Sequence, residues 1–315
     1  MIYSTLNFYP RKDPRMRLFA LWYFCGLLIL WTILGDTVLG FEQSYAQPIV
    51  AVLTAIAVAL LLEGLDATAT ERTARFAGSR ANFLNFLPPC IIPGLACAML
   101  IYSNERLTPI IFATALSLAS KSLLRAPIGN GQTQHIFNPS NFGITITLLL
   151  IPSAGLAPPY QFTENLTGLW HWIIPAIILA TGAFIHGKFT GRLPLVTAWF
   201  LAFAGQAVVR ILVFHIPPAV PFLPMTSAGF ILFSLYMIPD PATTPIKPLR
   251  QVLFGASVAV LYAVLFVQHV VFGLFIALAL TSLIRGASLH LNAMWHARRQ
   301  AHEVLRVPVG ATPAR

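Results

Sequence analysis

LFALWYFCGLLILWTIL, residues 18–34, is apolar from end to end and follows directly on Arg11, Lys12, Arg15 and Arg17. A helix needs about 20 apolar residues to cross a bilayer. The run is longer than the apolar stretch of a secretory leader, and no small-x-small cleavage motif follows it. It reads as the first membrane helix, kept in the mature chain. Similar runs recur near 48–65, 86–103, 108–124, 141–152, 169–187, 194–214, 226–238, 251–267 and 269–284. The expected fold is therefore all-α: a polytopic integral membrane protein of about ten transmembrane helices.

Composition agrees. Of 315 residues, 57% are hydrophobic and 10% charged, with a mean hydropathy of +0.75. Soluble domains carry about 25% charged residues, and this chain has too few polar residues to cover a soluble surface. The net charge of +10 does not indicate nucleic acid, because the basic residues lie in short loops rather than along one face. With ten spans and a cytoplasmic N-terminus, 18 of the 20 Lys and Arg residues face inward. They are Arg11, Lys12, Arg15, Arg17, Arg72, Arg75, Arg80, Lys121, Arg125, Lys188, Arg192, Lys247, Arg250, Arg285, Arg298, Arg299, Arg306 and Arg315. Arg106 falls outside, and Arg210 lies within the seventh span, where it is expected to snorkel outward or meet a carbonyl. This split follows the positive-inside rule and predicts cytoplasmic N- and C-termini in a bacterial-type cytoplasmic (inner) membrane. Trp170 and Trp172 fall at the outer interface, where aromatic residues anchor spans.

The expected organisation is a basic N-terminus at 1–17, one membrane domain at 18–285 and a polar cytoplasmic tail at 286–315. Two five-helix halves could meet at the Pro-rich loop near 165. Cys25, Cys90 and Cys97 have no metal-ligand spacing and read as packing residues. His269, His290, His296 and His302 are irregularly spaced, as on a solvated surface. No metal site is expected.

Two polar turns interrupt the apolar pattern, Asn138-Pro139-Ser140-Asn141 and Asp240-Pro241-Ala242-Thr243-Thr244-Pro245. Each adjoins a short predicted span, and interrupted helices beside membrane spans mark binding sites in many transport folds. Ahead of the first turn, Lys121 and Arg125 are one helical turn apart and are expected to project from one face. Gly129 and Gly131 permit close backbone approach, while Asn130, Gln132, Gln134, Asn138 and Asn141 supply uncharged donors and acceptors. With Asp240, Thr243, Thr244 and Lys247, and with Phe137, Phe142 and Tyr236 alongside, the set suits a flat aromatic ligand bearing a phosphate. A flavin is such a ligand. The plainer alternative is that Asn138 and Asp240 cap the helices that follow them. Glu63 and Asp66 are three residues apart and could line a cation or proton path, or could pair with Arg72 or Arg75. No zinc-protease, nucleophile-elbow, P-loop or dinucleotide motif occurs, so no catalytic residue is assigned.

The stretch Phe137-Asn138-Pro139-Ser140-Asn141-Phe142-Gly143 resembles the F-N-P-x-x-x-G turn of one membrane family. That family (NqrB/RnfD) comprises related membrane components of the sodium-translocating NADH:quinone reductase and of the Rnf electron-transport complex. Tyr236-Met237-Ile238-Pro239-Asp240-Pro241-Ala242-Thr243-Thr244-Pro245 looks like its aromatic-Met-x-x-D-P-x-[ST]-x-P segment. The likeness spans roughly residues 115–250 and is nearest to short stand-alone members, including those associated with enediyne biosynthesis.

The resemblance implies a ten-helix flavoprotein component that relays electrons at or across the bilayer, in some complexes coupled to sodium or proton movement. It carries Asn138, Pro139, Gly143, Asp240, Pro241 and Thr243 over to the cofactor site. The larger family members join FMN through a threonine in a D-x-x-[ST]-G-A-T sequence, for which this chain has no counterpart. Any flavin, FMN or riboflavin, is therefore expected to be non-covalent. Electrons would arrive from partner subunits or a diffusible donor. The alternatives are a small-solute transporter or channel, or a non-redox assembly component, of the same fold.

Overall fold

The computed structural model describes residues 14–104, 106–129, 131–158 and 161–306. Asn130, most of the predicted N-terminal segment and the last residues of the predicted tail lie outside them. The described chain is predominantly helical, in the order α1 (Pro14–Leu34), α2 (Ala46–Ala69), α3 (Arg80–Phe86), α4 (Pro88–Leu100), β1 (Ile101–Tyr102), α5 (Thr108–Leu123), β2 (Arg125–Gly129), β3 (Gln132–His135) and α6 (Pro139–Leu150). Then follow β4 (Gly155–Leu156), α7 (Trp170–Ile185), α8 (Leu193–Phe214), α9 (Ala228–Leu232), α10 (Pro248–Val267) and α11 (Gly273–Arg306). Single π-turns extend α1 over Gly35–Leu39, α7 over His186–Thr190 and α9 over Phe233–Met237.

Each of the ten predicted spans falls on helix, but they are unequal. Seven helices are long and apolar enough to cross a membrane, and a bent eighth joins the 3-10 turn Val220–Thr226 to Ala228–Met237 at 70°. At 1.5 Å per residue, α5 and α6 reach only about 24 and 18 Å. Three predicted boundaries move. The third span starts at Arg80, because Ser79 caps α3 by accepting a hydrogen bond from the Asn82 N–H. The last span and the polar tail form one helix, α11, with no break at 285. The segment expected as a loop after α5 is the antiparallel hairpin β2–β3, turned by Gly129 and Gly131 at φ +95° and +69°. L side chains rarely adopt those angles.

The contacts among α1–α6 and among α7–α11 are partly alike. In the first, α4 contacts α1 and α2, α5 contacts α2, and α6 contacts α5. In the second, α9 contacts α7, α10 contacts α8, and α11 contacts α10. Where helices approach closely, glycine removes the side chain. A Cβ on Gly94 would lie 3.1 Å from the Ala51 carbonyl oxygen, and one on Gly255 would lie 2.5 Å from that of Leu195. Such contacts hold membrane helices together where apolar burial gives no preference for protein over lipid. Between α8, α9 and α10 the core is aromatic, with Trp199, Phe203, Phe230, Phe233 and Tyr262 in ring contact. The indole N–H of Trp199 donates to Ser234 Oγ at 2.8 Å, as a buried indole requires. Outward-facing Leu53, Leu65, Leu201, Leu212, Leu253 and Val260 stay exposed, the surface a bilayer would cover.

Candidate functional site

The two polar turns meet. Asn138 is the N-cap of α6: its Oδ1 accepts from the Asn141 N–H at 3.0 Å and from Ser140 Oγ at 2.8 Å. Pro139 occupies the first turn of that helix, where its missing N–H costs nothing. With its oxygen so engaged, Asn138 Nδ2 donates to the Met237 carbonyl at 3.0 Å, tying the start of α6 to the last turn before Asp240. Asn141 Nδ2 donates to the Phe275 carbonyl of α11 at 3.1 Å. Its Oδ1 is buried without a partner. Gly143 seats α6 on α5, since a Cβ there would stand 2.1 Å from Ser117 Oγ.

Asp240 does not cap the helix that follows, whose N-cap is Lys247. It closes its own turn instead. Asp240 Oδ1 accepts from the Ala242 N–H at 3.0 Å, and its carbonyl accepts from the N–H groups of Thr243 and Thr244. Oδ2 faces His135 Nε2 at 3.6 Å. Burial pushes the carboxyl up, but His135, the Ala242 N–H and the Lys121 ammonium outweigh it and hold it below the usual carboxylate range.

Around this one carboxylate stand cations that sequence reading did not bring here. Arg192, 1% exposed, follows the left-handed Gly191 at the start of α8. Its Nε donates to Thr244 Oγ1 at 2.8 Å, Nη1 to the Thr190 carbonyl at 3.2 Å and Nη2 to that of Pro241 at 3.1 Å. Burial pulls its pKa down to about 10, and Asp240 opposes the shift. Arg285 of α11 donates to the Thr243 carbonyl at 2.8 Å. With the Gln134 amide turned carbonyl-first, Gln134 Oε1 accepts from Arg285 Nη1 at 2.5 Å and Nη2 at 2.6 Å. Gln251 is fully buried, and its Nε2 donates to the Gly191 and Ile246 carbonyls. Its Oε1 has no partner. His186 places Nε2 2.5 Å from the Leu235 carbonyl, so Nε2 carries the proton and Nδ1 accepts from the Thr190 hydroxyl at 2.8 Å.

Lys121 and Arg125 do not project together. Helix α5 ends at Leu123, and Arg125 begins a strand two residues before Pro127, which disfavours helical backbone ahead of it. Lys121 turns inward, donating to the Pro89 carbonyl at 2.8 Å, and its charge reaches Asp240. Arg125 is exposed and spends its guanidinium inside the hairpin on Thr133 Oγ1, at 2.8 Å, and on the Thr133 and Lys121 carbonyls.

Glu63 and Asp66 sit apart from this cluster, and both turn to Arg72. Arg72 Nη1 is 2.5 Å from Glu63 Oε1, while Nη2 contacts Asp66 Oδ2. The Arg75 N–H adds a 2.8 Å bond to Glu63. The pair thus forms the ion-pair lock that the sequence offered as one alternative. Among the described residues, no group of three or more His, Cys, Asp and Glu could hold a metal ion.

Chemically, the junction combines one carboxylate and one imidazole with three cationic side chains and two buried amide oxygens lacking donors. Its local excess of positive charge favours an anionic group, and its orphaned acceptors favour a ligand that also donates hydrogen bonds. The positions of Arg192, Arg285, Gln251 and His135 carry no local signal in the sequence, because they converge from α8, α10, α11 and the hairpin. No protein-family model matches this chain, and no curated protein matches it.

Proposed function

We propose that this chain is the membrane component of an electron-transport system. It would hold a flavin, FMN or riboflavin, non-covalently at the junction of the two polar turns and relay electrons supplied by partner subunits or a diffusible donor. The carrying observation is the excess of cationic groups around Asp240, namely Lys121, Arg192 and Arg285, where the breaks of both halves meet. Such charge suits a phosphate or a reduced, anionic isoalloxazine. Asn141 Oδ1 and Gln251 Oε1 are free to accept from the ring N–H or ribityl hydroxyls. In this reading the chain crosses a bacterial-type cytoplasmic membrane ten times, with α5 and α6 as short crossings and both termini in the cytoplasm. Cation movement, if coupled to electron relay, would require the Glu63–Asp66–Arg72 lock to open.

An absorbance spectrum of the detergent-purified protein, taken before and after acid precipitation, tests the reading. Flavin bands released to the supernatant are expected, and Asn138→Ala with Asp240→Ala should empty the site. A colourless protein expressed with ample riboflavin, or flavin retained at wild-type ratio in that variant, would overturn it.

A small-solute transporter is the second reading. A 70° bend at Ser227 interrupts the span that leads to Asp240, and the short, Pro-initiated α6 starts at the junction. Solute flux from liposomes by colourless protein would favour it.

A further inference from the structure

We propose that a cleft between α8 and α10, far along α8 from Arg192, binds the headgroup of an anionic phospholipid. Arg210 lies four residues before the end of α8, about 6 Å from it along the helix. In a helix of 22 residues, about 33 Å long, that is the depth where a leaflet's hydrocarbon gives way to phosphate. Of the two outcomes expected of it, the carbonyl partner is not found among the described residues. Arg210 is 5% exposed, and its guanidinium lies over the Phe266 ring at 3.6 Å. No carboxylate or hydrogen-bond acceptor among the described residues meets it. One turn earlier, Gln206 has both side-chain polar atoms buried and unpartnered.

Both side chains line a cleft of about 270 Å³, together with Phe214, Val264, Val267 and Gln268. An isolated buried guanidinium is costly unless it is paired. A phosphodiester would satisfy it with two parallel hydrogen bonds, and Gln206 can donate a third. The source is settled by the surroundings. Val209, Phe214 and Val264 are each more than half exposed on the apolar flank. The cleft therefore opens sideways onto the acyl chains rather than into water. A headgroup that keeps its net negative charge balances Arg210, whereas a zwitterionic one brings its own cation.

The test uses the full chain, delipidated in neutral detergent, with its thermal midpoint followed as phosphatidylglycerol, phosphatidylcholine or inorganic phosphate is added. Phosphatidylglycerol should raise the wild-type midpoint, and the other two should not. Native mass spectrometry should show phosphatidylglycerol retained about tenfold less by Arg210→Met, the loss expected for one charge-assisted contact. Arg210→Met trades the contact with Phe266 for relief of a charge without a hydrogen-bond partner, so a folding failure is not expected. Arg210→Lys, with charge but no fork, and Gln206→Leu should each lose part of the response. Arg106→Gln, a cation outside the cleft, should keep it. An unchanged lipid response in Arg210→Met, or equal responses to phosphatidylcholine or free phosphate, would overturn the proposal.

Discussion

A methyl group on Gly143 would stand 2.1 Å from Ser117 Oγ and 2.2 Å from the Ala113 carbonyl oxygen. The backbone atom cannot rotate away, so Gly143→Ala must push α6 off α5. Overpacking of this kind costs about 1–3 kcal/mol, and a lowered unfolding midpoint in detergent would register it. Asp240 makes a different prediction. Its folded pKa is held below the ordinary value of about 3.9, so its contribution to stability is full above that value. It is lost as pH falls through the lower folded value. Asp240→Asn should therefore unfold earlier than wild type at neutral pH, with the gap closing as acid protonates the wild-type carboxyl. A gap that stays constant down to the acid limb would show that its charge does not matter. At this scale Asn138 was legible, because Asn-Pro before an apolar run is a local capping signal realised by the 3.0 Å bond from Asn141. Arg192 was not. Its Gly191-Arg192-Leu193-Pro194 context marks a helix start and says nothing about Thr244, 52 residues away.

Helices were legible through apolar run length; their close contacts, which were not read from the sequence, fall at glycines. Gly94, Gly143, Gly182 and Gly255 each sit where a Cβ would strike a neighbouring helix, at Ala51, Ala113, Leu235 and Leu195 respectively. At Gly255 the obstacle is the Leu195 carbonyl at 2.5 Å, with the Trp199 N–H nitrogen at 3.1 Å. Gly255→Leu should separate α8 from α10 and loosen the Trp199 ring cluster. A blue-to-red shift of Trp emission and a lower midpoint than Gly255→Ala would report it; equal midpoints for the two variants would mean the helices yield freely. The hairpin β2–β3 escaped sequence reading for a physical reason. Arg125-Ala126-Pro127-Ile128-Gly129 and Gln132-Thr133-Gln134-His135 are too short and too polar to show a two-residue alternation. Their place is set from outside, where His290 Nε2 meets the Arg125 carbonyl at 3.1 Å and Arg285 meets Gln134.

At the scale of the molecule, the contacts gather the hairpin, the Asp240 turn, Arg192 and Arg285 at one end of the bundle. Lys121, tied to Pro89 at the start of α4, belongs to the same end. The pairing of β1 with β4 puts the end of α4 beside the chain leaving α6. These links give the charge bias of the loops a spatial basis, and they make the number of crossings testable. Cys25, Cys90 and Cys97 are buried, so single exposed cysteines can be read against a quiet background. If only the seven long helices crossed, five crossings would separate Thr70 from Ser288 and place them on opposite sides. Ten crossings, or eight with α5 and α6 re-entrant, place them together. Gln132 sits in the hairpin that Arg285 and His290 hold, so it should share the side of Ser288. With a membrane-impermeant maleimide on right-side-out vesicles, Glu42→Cys and Asn104→Cys are expected to react at once. Thr70→Cys, Gln132→Cys and Ser288→Cys should react only after permeabilisation. Immediate labelling at Gln132 with Ser288 still protected would contradict the docking of the hairpin on α11.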